Sequence, residues 1–150
     1  MDRQQAAVRL YESRLMRTPE EVSMFEQARL ALYEMHDPLV LQDLFAAFDD
    51  ATEQNEVMWG LIHQAEDFGL GIYLPALLAA TPRLLLPARE WASVLHERVL
   101  NGAKSLPMYE DLLSALPEDT KHAIRTLLEE IAQNRPKLKQ KAQGALRRLG

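Results

Sequence analysis

The chain contains no cysteine, which excludes disulfides and thiolate metal sites and suits a reducing cytoplasm. It has only six glycines, and most fall where a helix would end, so little material is left for phosphate-cradling loops. No Gly-x-Ser-x-Gly and no His-Glu-x-x-His occurs. The longest apolar run, LGIYLPALLAATPRLLLP, is interrupted by Pro75, Pro82 and Arg83, so it reads as buried helices and not as a membrane span. The N-terminal MDRQQAAVRLYESRL carries charge throughout and lacks the apolar stretch of a secretory signal. Positive charge is missing over a long interval. Between Arg29 and Arg83 there is no lysine or arginine, against nine acids: Glu34, Asp37, Asp43, Asp49, Asp50, Glu53, Glu56, Glu66 and Asp67.

The whole chain has a net charge of only −5, so seventeen bases face thirteen acids outside that interval, a surplus of four positive charges. Surfaces normally mix the two signs. Uncompensated like charge repels itself, and a basic partner would relieve it. The acids around the turn Asp49–Glu56 also have a blander reading, because carboxylates are favoured at helix N-termini. That reading does not explain the missing bases. An acidic partner-binding face is therefore expected. The pI near 5.4 disfavours nucleic acid as the partner.

At 150 residues, 47% of them hydrophobic and 26% charged, the composition is that of one soluble globular domain spanning 1–150. Helical spacing recurs along it. Residues 4–16 form a first amphipathic segment. Thr18-Pro19-Glu20-Glu21 is a helix-start signal for a second helix to about Met35, with Val22, Phe25, Ala28, Leu32 and Met35 inward. Asp37-Pro38 opens a third, burying Leu41, Leu44, Phe45 and Phe48. Asp49–Asn55 is a polar connection. The fourth helix runs from Glu56 to Phe68 behind Asn55 as cap. A fifth spans about Ile72–Ala80 and stops at Pro82. The sixth covers Pro87–Leu100, the seventh runs from Ser105 to about Ala115, the eighth from Pro117 through Gln133, and a basic last helix covers Lys137–Leu149. The fold class is all-α: eight or nine short helices stacked as antiparallel pairs, a HEAT-like α-solenoid, with an irregular helical bundle as the alternative. Trp59-Gly-Leu-Ile-His63 echoes loosely in Trp91-Ala-Ser-Val-Leu-His96, as stacked repeats would.

Several groups could carry chemistry. His63, Glu66 and Asp67 share a helix face by their three- and four-residue spacing. As a metal site the set is incomplete, because a di-iron bundle needs Glu-x-x-His twice plus two more glutamates. A carboxylate orienting His63 is the simpler expectation. Trp59 and Trp91 lie early in apolar-striped helices and are expected in the core, though a tryptophan at the rim of an acidic face could anchor a partner. Arg98 could pair with an acid on a neighbouring helix. Arg135, Lys137, Lys139, Lys141, Arg147 and Arg148 form a basic tail with no acid after Glu130, which could be solvated surface or could fold back over the acidic segment. No catalytic residue, metal or cofactor is assigned.

The ordered set Phe48-Asp49-Asp50, Glu56-Val57-Met58-Trp59, Leu61-Ile62-His63, Glu66, Phe68 and Tyr73, followed by Trp91, Arg98-Val99-Leu100-Asn101 and Tyr109, resembles the immunity protein 30 family of bacterial polymorphic toxin systems. The resemblance runs from about Phe45 to Leu113 and leaves out the first two helices and the basic tail. It implies an all-helical, non-enzymatic cytoplasmic antitoxin. Such a protein binds the C-terminal effector domain of a cognate toxin and blocks it in the producing cell. Combined with the charge argument, the expected partner is basic, and the expected contact residues are Asp49, Asp50, Glu53, Glu56, Trp59, His63, Glu66 and Asp67. A helical scaffold unconnected to a toxin, or a metal-dependent enzyme using His63, Glu66 and Asp67, are the competing functions.

Overall fold

The structure is a computed structural model that describes residues 1–150. Every regular element is helical: α1 Arg3–Glu12, α2 Pro19–Met35, α3 Val40–Ala46, α4 Asn55–Glu66, α5 Leu70–Leu84, α6 Arg89–Leu100, α7 Ser105–Leu113, α8 Glu118–Asn134 and α9 Lys139–Leu149, with one 3-10 turn at Pro136–Leu138. The odd-numbered helices touch in succession, α1 to α3, α3 to α5, α5 to α7 and α7 to α9. The even-numbered ones form a second row. Arg29 of α2 and Gln64 of α4 exchange side-chain and backbone hydrogen bonds, Trp59 of α4 packs on Trp91 of α6, and α6 touches α8. Stacked helix pairs are thus the arrangement, and the two tryptophans of the sequence echo occupy neighbouring helices of one row.

Local signals explain most helix ends. Thr18 accepts a hydrogen bond from the Glu21 N–H at 3.1 Å and Pro19 takes the first position of α2. Glu21 does not complete a capping box with Thr18; it reaches one residue further and accepts from the N–H of Arg17. His36 ends α2 in the left-handed conformation (φ 51°), a position where a side chain is tolerated but uncommon. Asp37 accepts from the Leu39 N–H, which makes a turn, so α3 starts two residues later than Pro38.

The expectation that Pro82 ends α5 is wrong. The helix continues to Leu84 with Pro75 and Pro82 both inside it, and it starts at Leu70 with Gly71 in its first turn. An interior proline costs a helix roughly 3 kcal/mol. Here α5 packs on α3, α4, α6, α7 and α8, and it buries Tyr73, Leu74, Leu77, Leu78, Thr81 and Leu84. At about 1.5–3 kcal/mol for each large apolar side chain, that burial outweighs both prolines. Tertiary packing on the most enclosed helix overrides a local stop signal. The Gly71 carbonyl, which Pro75 leaves without its usual donor, lies on an exposed residue.

The core is one continuous cluster of 36 buried residues reaching from Ala6 to Leu149. Phe25, Ala28, Leu32, Leu41, Leu44, Phe45 and Phe48 are buried as their spacing predicts, and near the N-terminus Leu10 and Met16 are buried while Tyr11 is exposed. A polar chain crosses the interior between three helices. Thr81 donates its hydroxyl to the Leu77 carbonyl at 2.7 Å, His96 Nε2 lies 2.9 Å from Thr81 Oγ1, and Tyr109 OH lies 2.8 Å from His96 Nδ1. Because the Thr81 proton is committed to Leu77, Nε2 must donate to Thr81. Nδ1 then accepts from Tyr109, so the chain is fully satisfied with neutral histidine.

Candidate functional site

Helix α4 holds the candidate site on its outer side. At about 100° per residue, Glu56, Trp59, His63, Glu66 and Asp67 fall within roughly one third of the helix circumference. Met58, Leu61, Ile62, Gln64 and Ala65 occupy the opposite side and are buried. Trp59 is 37% exposed, and its ring meets that of buried Trp91 edge-on at 6.0 Å. The core expectation therefore holds for Trp91 and fails for Trp59, which sits at the rim. His63 lies beside the Trp59 ring at 6.4 Å. Neither Glu66 nor Asp67 hydrogen-bonds to it, which overturns the expected carboxylate–histidine pair.

Glu66 is committed elsewhere. Arg98 of α6 forks onto both of its carboxylate oxygens at 2.8 Å each, and the same guanidinium stands 5.5 Å from the centre of the Trp59 ring. Those hydrogen bonds raise the Arg98 pKa above its ordinary value. The fork-to-fork geometry is the strongest arrangement available to the pair. Tyr73 lies below, close enough to feel both charges. Its hydroxyl is buried with no hydrogen-bond partner, and that burial pushes its pKa upward. No group of three His, Cys, Asp or Glu side chains is placed to hold a metal ion.

The turn that precedes α4 does a different job from the one its charge suggests. Asp49 is nearly buried; it accepts from Arg14 Nε at 3.1 Å and from the Ala51 N–H at 2.9 Å. Asp50 accepts from the N–H groups of Glu90 and Trp91 at 2.9 and 3.2 Å, capping α6 from a distance of forty residues. Its own N–H donates to the Pro87 carbonyl, and the Glu53 N–H donates to that of Leu15. This loop is a clip joining the end of α1 to the start of α6. Asp43 is likewise paired, with Arg3 of α1 at 2.9 Å. Burial nonetheless raises the Asp43 pKa from its ordinary value, and Arg3 only partly opposes it.

The premise of uncompensated charge thus needs correction. Arg3, Arg14 and Arg98 enter from outside the base-free interval and neutralise Asp43, Asp49 and Glu66. Sequence distance hid this, since the partners lie 32 to 40 residues away. Glu34 on α2 is left, together with Glu53, Glu56, Asp67 and His63, all exposed and all without a side-chain hydrogen bond or ion pair. Glu53 stands apart from the α4 stripe, where the clip meets α1. The basic tail does not cover these acids. Its helix packs on α7 and α8, with Arg148 paired to Asp111 and Arg135 to Glu97.

A groove of about 660 Å³ runs between α3, α5 and the start of α8 past Leu41, Phe45, Ala76 and Arg83, and no residue of the α4 stripe lines it. No helix is long and apolar enough to cross a membrane.

Comparison with known proteins adds one match. Residues 12–109 match the family described as immunity protein 30, a span that opens at the last residue of α1 and closes within α7. It takes in α2, where no telling motif stands out, together with the clip, α4 and α6. No curated protein and no solved structure matches the chain.

Proposed function

The chain belongs to the immunity protein 30 family, and from that premise we propose that it is a cytoplasmic antitoxin that neutralises a cognate polymorphic toxin by covering a basic surface of the toxin's C-terminal effector domain with the outer face of α4. One observation carries the choice of face. Within the matched span, an exposed tryptophan anchored on the core stands in a single helical stripe with Glu56, His63, Glu66 and Asp67. Interface energy concentrates in such aromatic anchors, and surrounding charge chiefly raises the association rate. Fast capture matters to a cell in which free toxin is lethal.

The eight residues expected at the interface divide by role under this reading. Trp59, Glu56, His63, Glu66 and Asp67 contact the partner, with Glu53 at the margin. Asp49 and Asp50 act indirectly, by fixing where α4 begins. A stripe three turns long is smaller than the roughly 800 Å² per partner of a stable interface. The contact therefore extends onto the flanking even-numbered helices, α2 and α6. The protein acts by occlusion and performs no chemistry.

The test is protection of cells against the toxin encoded beside this gene. Glu53→Lys, Glu56→Lys and Asp67→Lys combined should leave the melting temperature nearly unchanged, because all three side chains are exposed and none makes a hydrogen bond or ion pair. The triple reversal should slow association by tenfold or more at low salt and abolish protection. Reversing Lys137, Lys139 and Lys141 to glutamate on the opposite end should do neither. Full protection by the triple reversal of the acids would mean that this face is not the one used.

A further inference from the structure

Arg98 stands out because it combines two contacts that seldom coincide on an open surface. Its guanidinium stands over the ring of Trp59 while its fork engages both oxygens of Glu66. An aromatic face and a planar carboxylate are the two halves of a guanidinium receptor. The halves come from α4 alone, at positions 59 and 66, two turns apart on one stripe. The guanidinium comes from another helix. The receptor is therefore complete without α6, and Arg98 is its occupant.

The site is also built firmly. Trp59 leans on buried Trp91, and Trp91 lies in the first turn of the helix whose N-terminus Asp50 caps. The occupant, by contrast, is held only at its tip: the Arg98 side chain is 36% exposed and that of Glu66 is 29% exposed. A partner's arginine entering the same place would remake the fork on Glu66 and the contact with the Trp59 ring, so exchanging one guanidinium for another conserves those contacts.

We infer that Trp59 and Glu66 form an arginine-recognition site that Arg98 fills in the free protein and that an arginine of the bound partner takes over. Arg98 then swings to solvent. The inference deepens the antitoxin reading and rests on it only for the identity of the partner. It makes a prediction that runs against intuition. Removing Arg98, a base at an acidic face, should expose a receptor and should not merely weaken a surface.

The experiment has one arm that needs no toxin. N-ethylguanidinium chloride is titrated into wild type, Arg98→Ala, and Arg98→Ala with Glu66→Gln, following tryptophan fluorescence, with far-UV circular dichroism to confirm that all three are folded. Arg98→Ala should show a saturable change at millimolar probe that the wild type lacks, that Glu66→Gln removes, and that ethylammonium, which has the charge without the fork, does not reproduce. Identical curves for the three proteins, or an equal response to ethylammonium, would overturn the site. In the second arm, affinity for the toxin encoded by the adjacent gene is compared. Arg98→Ala should bind several-fold more tightly, and Glu66→Gln several-fold more weakly. If Arg98→Ala loses as much affinity as Glu66→Gln, Arg98 is itself the contact and the exchange is wrong. If the probe binds but no toxin does, the receptor stands and the antitoxin reading falls.

Discussion

Acidification should destabilise this protein chiefly through one side chain, His96. It is fully enclosed by α5, α6 and α7, and burial lowers its pKa from 6.5 to about 4. The groups facing it are the hydroxyls of Thr81 and Tyr109, both neutral, so no charge contributes to the shift. The folded protein holds His96 neutral, whereas the unfolded chain takes up a proton below pH 6.5. Stability from this group is complete above pH 6.5 and is lost as pH falls towards 4. Each tenfold difference in proton affinity is worth about 1.4 kcal/mol, so the full loss is roughly 3 kcal/mol and the loss at pH 4.5 roughly 2.5 kcal/mol. For a domain of this size that is a fall of about 5–10 °C in melting temperature.

The check pairs melts at pH 7.5, 6.0, 5.0 and 4.5 for the wild type with the same series for His96→Leu. The variant leaves the buried Tyr109 hydroxyl without its acceptor and should be less stable at neutral pH by about 1–3 kcal/mol. Its stability should fall less steeply with acid, so the gap to wild type narrows by most of 2.5 kcal/mol as pH drops. Nitrogen-detected imidazole spectra should show the proton on Nε2 alone at pH 6. Parallel pH slopes for the two proteins, or a protonated His96 ring at pH 5.5, would refute the reasoning.

Asp50→Ala should cost about 1–2 kcal/mol by uncapping α6, measurable as a lower urea midpoint, and Asp50→Asn should recover part of it. Gly60→Ala should stabilise by about 0.5–1 kcal/mol, since Gly60 lies inside α4 and an added methyl would meet only the Arg29 guanidinium at ordinary contact distance. Gly102→Ala should destabilise by about 1–3 kcal/mol, because the methyl would fall on the Ser105 hydroxyl that serves the Val99 carbonyl. Tyr73→Phe should be neutral or slightly stabilising in thermal melts, because it deletes a buried hydroxyl that bonds to nothing.

What could be read from the sequence was local, and what could not was long-range. Thr18-Pro19 sets the start of α2, and the apolar spacing of Leu41, Leu44, Phe45 and Phe48 marks the inner side of α3, because those signals act within one or two turns. Pro82 misled because its effect is local but the helix that holds it is enclosed by five others. The α4 stripe was readable from its spacing. The buried chain Thr81–His96–Tyr109 was not, since its three residues come from three helices and none of them has a neighbour in sequence that announces the contact.

The same distinction bears on function. Counting charge along the chain finds the acids but cannot find their partners, because arginine reaches across a helix pair. Once Arg3, Arg14 and Arg98 are placed, two groups stand out among the nine acids of the base-free interval. Asp43, Asp49 and Asp50 are spent on architecture, tying α1, α3 and α6 around the start of α4. Glu56 and Asp67 remain unpaired on the helix thus positioned, with Trp59 between them. The first group makes the second useful. A carboxylate on a mobile loop loses side-chain and backbone entropy when a partner orders it, whereas one on a fixed helix has already lost most of it. Reversing Asp50 should therefore weaken partner binding as well as stability, although its carboxylate faces the inside of the clip. Reversing Glu56 should weaken binding alone.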